Sequence, residues 1–112
     1  IRKHIIMSLD ITLQTPEGIT GDHNITHNLK EMAIAAGFGQ ELWRQEETDI
    51  HFASDLIEIL AVGVARLKGR PLHYDQFNAD NGWGMREDLI RFTEELLQDC
   101  IYSPDAEILT HR

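Results

Sequence analysis

Two histidines four residues apart are the first candidates for chemistry in this chain. His23 and His27 have the spacing that places two imidazoles on one face of a helix, and Asp22 adjoins them, so a metal ion is one interpretation. A third ligand would have to come from His51, His73 or an acidic residue, and the Gly, Asn and Thr residues around the pair indicate a loop instead of a helix. We therefore predict hydrogen-bonding histidines, with no metal and no cofactor.

Short polar side chains gather in two segments, each of which precedes a predicted helix. If the two helix starts lie side by side, their free backbone N–H groups and the amide side chains would form a pocket for a carboxylate, amide or phosphate, with an indole as its apolar wall. The alternative is that these side chains only cap the helices and satisfy the loop backbone. The predicted ligand-binding residues are Asn24, Thr26, His27, Asn28, Asn78, Asn81 and Trp83.

The sequence shows no nucleophile with a matching base. It contains no Gly-x-Ser-x-Gly, no phosphate-cradling glycine loop and no His-Glu-x-x-His. Its one cysteine, Cys100, lies in an apolar helical stripe, which indicates a small buried hydrophobic side chain and not a reactive thiol. We predict no catalytic residues and a protein that acts by binding.

Acidic residues outnumber basic ones by 19 to 10, which gives a net charge of −9 at pH 7. This charge repels a nucleic-acid backbone and favours a protein partner with a basic surface. Carboxylates are concentrated at residues 41–55 and 87–105, where they either solvate the surface or cover a basic site on another protein. No apolar run approaches the roughly 20 residues of a membrane helix, so we expect a cytoplasmic protein without membrane association.

Two short alternating segments predict the strands. Residues 9–13 alternate apolar and polar side chains and lead to a Pro-Glu-Gly turn, which is typical of a half-buried strand. Residues 106–111 are short and alternate similarly, and would form the last strand. The polar stretch 20–28 has a single aliphatic side chain and predicts a loop.

Three segments have the period and the terminal residues of helices. The first covers residues 29–36 with Asn28 as its N-cap, the second runs to residue 68 with Ser54 as its cap, and the third covers 86–101. We therefore predict an α+β fold in which three main helices pack on a small antiparallel β-ribbon formed by the N- and C-terminal strands.

Two tryptophans and one glycine are expected to shape the core. Trp83 stands between two glycines in a loop rich in Asn and Asp, a pattern that predicts a buried aromatic residue in a locked loop. A helical turn within residues 41–46 would hold Trp43 against the core. Gly63, inside the second helix, costs about 1 kcal/mol relative to alanine, which indicates close approach of another backbone.

Three short motifs resemble those of a group of small proteins encoded by phages and bacteria. They are Asn-Ile-Thr-His-Asn at residues 24–28, Asn-Gly-Trp-Gly at 81–84 and Ser-Pro-Asp-Ala at 103–106. The resemblance spans about the whole domain after Met7 and implies a phage or bacterial, cytoplasmic origin. It implies no particular activity, because the group has no settled one.

We interpret residues 7–112 as a single globular domain, since a chain of this length suffices for one modest core, and residues 1–6 as lying upstream of a natural start at Met7. Charge, size and the missing catalytic groups predict a small acidic protein-interaction module of the inhibitor or immunity type. The alternative is a small-ligand-binding domain with a polar pocket between the 24–28 and 78–83 loops.

Overall fold

The computed structural model describes residues 8–112, which form three strands and five α-helices in an α+β arrangement. The strands are β1 (Ser8–Thr15), β2 (Gly18–Thr26) and β3 (Glu107–His111). The helices are α1 (Lys30–Ala35), α2 (Gly39–Trp43), α3 (Ala53–Gly69), α4 (Pro71–Asp75) and α5 (Arg86–Tyr102), with 3₁₀ turns at His27–Leu29 and Gln45–Glu47. The predicted start at Met7 and the upstream segment 1–6 lie outside the described residues.

The sheet is antiparallel, and β1 is its central strand in the order β2-β1-β3. β1 buries Leu9, Ile11 and Leu13 in the core, as its alternation predicts. The predicted pairing of the first and last strands is confirmed, since Thr12 of β1 lies opposite Leu109 of β3. The helices pack on the face that carries these apolar side chains, and the other face is largely polar.

The prediction of a loop over residues 20–28 is wrong, because this segment forms most of β2 and the 3₁₀ turn after it. The predicted ribbon is therefore a three-stranded sheet. β2 is an edge strand that buries little: Ile25 is buried and His23 is half-buried, whereas Asp22 and Asn24 are exposed. Its backbone is hydrogen-bonded to β1. The strand therefore forms although its sequence lacks the alternation of apolar and polar residues that indicates a buried face.

The first predicted helix is present, but Asn28 is not its N-cap. The hydroxyl of Thr26 accepts a hydrogen bond from the backbone N–H of Asn28 at 3.3 Å, and this bond begins the 3₁₀ turn that leads into α1. α1 ends just before Gly37, whose φ is 98°, as predicted. The short helix α2 then holds Trp43 in the core, which confirms the role predicted for that tryptophan.

The start of α3 is capped by the chain that leads into β3, so the prediction of Ser54 as its cap is wrong. The backbone N–H of Ala53 donates to the carbonyl of Ala106 at 2.8 Å. The backbone N–H of Ser54 donates to the carbonyl of Pro104 at 2.9 Å. Two of the N–H groups that a helix start leaves unpaired are thus satisfied by a segment from the other end of the described chain.

Gly63 allows close packing in the middle of α3. A Cβ atom at this position would lie 2.6 Å from Cε1 of the fully buried Phe38. The expected close approach is present, but the expectation of a neighbouring backbone is wrong. The neighbour is an aromatic ring from the connection between α1 and α2.

α5 follows its predicted span and packs mainly against α3. It buries Leu89, Phe92, Thr93, Leu96 and Cys100. The Cys100 thiol is buried as predicted, and burial raises its pKa to about 12, so it stays protonated near neutral pH. A bilayer-crossing helix, which needs about 20 mostly apolar residues, does not occur within residues 8–112.

Aspartates stabilise the first turns of both long helices. Asp55 accepts hydrogen bonds from the backbone N–H groups of Phe52 and His51 at 3.0 and 2.9 Å. Asp88 accepts one from the backbone N–H of Met85 at 3.0 Å. These bonds hold the pKa of each carboxyl below the ordinary aspartate value, because they favour the charged form.

Replacing Asp55 by asparagine is expected to lower the free energy of unfolding by about 0.5–1 kcal/mol at pH 7. The pKa of this carboxyl is lower in the folded chain than in the unfolded chain, so its stabilisation is complete at neutral pH and is lost as the pH falls below about 4. Urea unfolding of both proteins at pH 7 and pH 3 should therefore show a smaller difference at pH 3. An equal difference at both pH values would contradict a role for the charge.

Candidate functional site

A groove of about 350 Å³ runs beside the free edge of β2. Five successive residues, 22–26, form one side of it, and the 82–84 loop and α5 form the other. Successive strand residues point to opposite faces of a sheet, so a groove lined by all five follows the edge of the strand and not one of its faces. The two polar segments, whose meeting was the condition for the predicted pocket, lie together at this groove.

Trp83 is 73% exposed, so the prediction that its indole is a buried anchor is wrong. The loop around it is nevertheless held in place. The carbonyl of Trp83 accepts a hydrogen bond from the Asn28 amide at 2.8 Å, and its N–H donates to the Asn81 side chain at 2.9 Å. Gly82 and Gly84 adopt φ values of 77° and 127°, which glycine tolerates best. A backbone bound on both sides thus presents the indole ring to solvent.

Trp43 is the tryptophan that anchors the core, with 2% of its surface exposed. Its indole Nε1–H donates to Nδ1 of His27 at 2.9 Å. His27 was a predicted ligand-binding residue, and the structure places it as the polar partner of a core side chain. A buried tryptophan usually needs such an acceptor, and His27, the first residue of the 3₁₀ turn after β2, supplies it.

The other predicted ligand residues mostly bind the chain itself. Asn78 accepts a hydrogen bond from the backbone N–H of Arg86 at 2.8 Å. Asn24 donates to Ser8 and Asp10 at 2.8 and 2.7 Å. The Asn78 bond matches the capping alternative, whereas Asn24 bonds to two side chains of β1 and caps no helix. The groove is lined by Asn24, Thr26 and Trp83, whereas His27, Asn28, Asn78 and Asn81 hold its surroundings in place.

His23 lies on the inner side of the groove and pairs with α5. Its Nε2 is 2.7 Å from Oδ2 of Asp99, and its ring meets that of Phe92 edge-on, with centroids 6.2 Å apart. His27, four residues later, bonds to Trp43 instead, so the two imidazoles do not share a site. Within residues 8–112, His, Cys, Asp and Glu side chains form no group of three that could hold a metal ion.

Carboxylates dominate the charge of the groove. Asp22 of β2 and Asp88 and Glu95 of α5 line it, together with the single guanidinium of Arg91. Arg91 is bound to Asp88 at 2.7 Å, so part of its charge is already neutralised. The spacing of 88, 91 and 95 places these residues on one face of a helix, and this signal is readable in the sequence. The approach of Asp22 is not, because it depends on β2 being a strand.

No protein-family model, curated protein or solved structure matches this chain. The resemblance to small phage and bacterial proteins therefore stays a prediction, and the role of the groove rests on its own geometry and charge.

Proposed function

We propose that this chain is a non-catalytic protein-interaction module that binds a basic partner protein in the groove beside β2. The observation that carries the proposal is Trp83, a large aromatic side chain with 73% of its surface exposed at the wall of the groove. Tryptophan is among the residues most enriched at the energetic centres of protein interfaces. An indole left in water therefore favours a surface that a partner covers.

The loop that carries the indole supports the same proposal. Its backbone is bound by the side chains of Asn28 and Asn81, so little freedom of the loop remains to be lost on binding. A site that is ordered before its partner arrives binds more tightly than a mobile one with the same contacts.

Charge selects the class of partner. Three carboxylates face one guanidinium in the groove, and the chain as a whole carries a net charge of −9. This field accelerates encounter with a basic protein and repels an acidic one. The arrangement suits an inhibitor or immunity-type protein, and the resemblance of its motifs supports a phage or bacterial origin.

A small-ligand site is the second candidate, because the 24–28 and 78–83 segments do meet beside the groove. Its volume of about 350 Å³ falls at the lower end of the range for ligand pockets. A thermal-shift screen with nucleotides, amino acids and divalent metals tests this candidate, since a ligand at 100 times its Kd adds about 2.7 kcal/mol of stability. The absence of any shift would leave the protein partner as the only candidate of the two.

Replacing Trp83 by alanine is expected to change the free energy of unfolding by no more than about 0.5 kcal/mol, because the ring is exposed and the backbone bonds remain. The same change should weaken partner binding about 30-fold or more, the loss typical of an interface centre. Urea unfolding and affinity measurement on the same variant separate the two effects. A variant that melts normally and binds normally would overturn the proposal.

The partner is sought by capture from a bacterial lysate with four forms of the protein. They are the wild type, Trp83→Ala, the double variant Asp22→Asn with Glu95→Gln, and a matched double variant, Asp49→Asn with Glu58→Gln, whose exposed acids lie outside the groove. We expect a basic protein that the wild type and the matched variant retain and the other two lose. Its retention should also fall in about 0.5 M salt, which screens exposed charges. Capture that ignores both groove variants would contradict the proposed surface.

A further inference from the structure

We infer that the partner binds as an added β-strand along the free edge of β2. This inference rests on the proposed function and specifies how the basic partner is held. Strand addition requires backbone N–H and C=O groups that point out of the sheet and lack a partner. The hydrogen bonds of β3 and the register of the sheet show which residues of β2 carry such groups.

Ile108 fixes the direction of the backbone in β3. Its N–H donates to the carbonyl of His51 at 3.0 Å, and its carbonyl accepts from the Gln45 side chain at 3.2 Å, so both groups point away from β1. In an antiparallel strand the two groups of one residue point to the same side, and those of the next residue point to the opposite side. Leu109 therefore faces β1, where its partner is Thr12.

The same alternation continues through β1 into β2. Thr12 faces β3, so Ile11 faces β2, where its partner is His23. Since His23 bonds to β1, the residues on either side of it, Asp22 and Asn24, direct their N–H and C=O groups out of the sheet. Within residues 8–112, no other backbone or side-chain group is hydrogen-bonded to these four groups. The groove of about 350 Å³ lies beside these residues.

The side chains along this edge fit a basic segment. A strand added beside β2 would place alternate side chains on the outer face, next to Asp22, and on the inner side, next to Glu95 of α5. A lysine or arginine in either set would meet a carboxylate. Trp83 also lines the groove, and the next residue, Gly84, lies against Thr26. The exposed indole ring offers a face to a further cation.

A second copy of this chain is the other candidate for a free strand edge. Pairing two β2 strands would bring together two chains that each carry a net charge of −9 and would place their Asp22 carboxylates near the same new interface. Repulsion between these like charges opposes the association of two copies. Charge complementarity therefore favours a basic segment of another protein.

Amide hydrogen exchange tests the inference directly. The probe is a seven-residue peptide, acetylated and amidated at its ends, in which lysine alternates with valine or threonine. At about ten times its Kd, only about a tenth of the protein stays free, so exchange at the Asp22 and Asn24 amides should slow about tenfold. The amides of His23 and Ile25, already bonded to β1, should not change. Protection of every second amide along the chain is specific to strand pairing.

A pair of variants at one position supplies the control. Asp22→Asn removes a charge and keeps the outward N–H, whereas Asp22→Pro removes both, and proline is tolerated where an edge strand points its N–H to solvent. We expect Asp22→Pro to bind the peptide about tenfold more weakly than Asp22→Asn, because a backbone bond is lost and the ring blocks approach. Native-like amide dispersion confirms that the proline variant is folded.

The outcomes separate this inference from the proposed function. Peptide binding that shifts the Trp83 indole signal but leaves the Asp22 and Asn24 amides unprotected would overturn strand addition, while the basic partner would stand. No peptide binding at low salt would also overturn strand addition, and the capture experiment would then decide the proposed function alone. Protection that appears without peptide and grows with protein concentration would identify a second copy as the occupant and overturn the basic segment.

Discussion

Replacing Trp43 by alanine is expected to lower the free energy of unfolding by about 3–5 kcal/mol, the loss typical of a buried large aromatic side chain. The ring is 2% exposed, so its removal leaves a cavity that the neighbours fill only in part. The change also deprives Nδ1 of His27 of its donor. Domains of this kind are stable by only about 5–15 kcal/mol, so the loss is a large part of the total. Urea unfolding followed by circular dichroism measures it.

Two further variants serve as controls for Trp43→Ala. Trp43→Phe keeps most of the apolar volume and loses the N–H donor, so we expect a smaller loss of about 1–2 kcal/mol. Trp83→Ala removes the same side chain from the surface. If Trp83→Ala proved more destabilising than Trp43→Ala, the two tryptophans would have the opposite roles, and the interface centred on position 83 would have no basis.

Replacing Gly63 by alanine is expected to destabilise the protein by about 1–3 kcal/mol, the range for overfilling a packed core. Helix propensity alone predicts the reverse, a gain of about 1 kcal/mol. The contact with Phe38 decides the sign, because a new methyl group would overlap a ring that is fully buried and has no room to move. The free energy of unfolding in urea measures the net effect.

Gly69 provides a matched control on the same helix. It is the last residue of α3, and a Cβ atom added there would meet nothing within 4 Å. Gly69→Ala should therefore be neutral or stabilise by up to about 1 kcal/mol. Stabilisation by both substitutions would contradict the close packing of Phe38 against Gly63.

The helices and the strands with a buried face were predictable because their periodicity records burial. Apolar side chains recur at every second residue in β1 and with the helical period in α5, and the structure places those apolar residues in the core. The caps were less predictable. Ser54 has the residue type of an N-cap, yet the groups that satisfy the start of α3 come from Pro104 and Ala106, and no local pattern reveals a partner so distant in sequence.

The candidate site was predicted in part, and the failure has one physical cause. The pocket hypothesis required the two polar segments to meet, and the bond between the Asn28 amide and the Trp83 carbonyl joins them. The burial of the indole and the nature of the 20–28 segment were predicted wrongly, because both depend on which side of an element faces water. The polar composition of this edge strand is equally typical of a loop. A tryptophan between two glycines can likewise be buried or exposed.

The position of β1 in the middle of the sheet has a consequence for synthesis of the chain. One neighbour, β2, follows it directly, so the contacts between these two strands are local in sequence. The other neighbour, β3, and the segment that caps α3 are made only after all five helices. Contacts so distant in sequence form slowly and leave a strand edge open meanwhile. Until residues 104–111 are made, one edge of β1 and the first backbone N–H groups of α3 therefore lack the partners that they have in the folded protein.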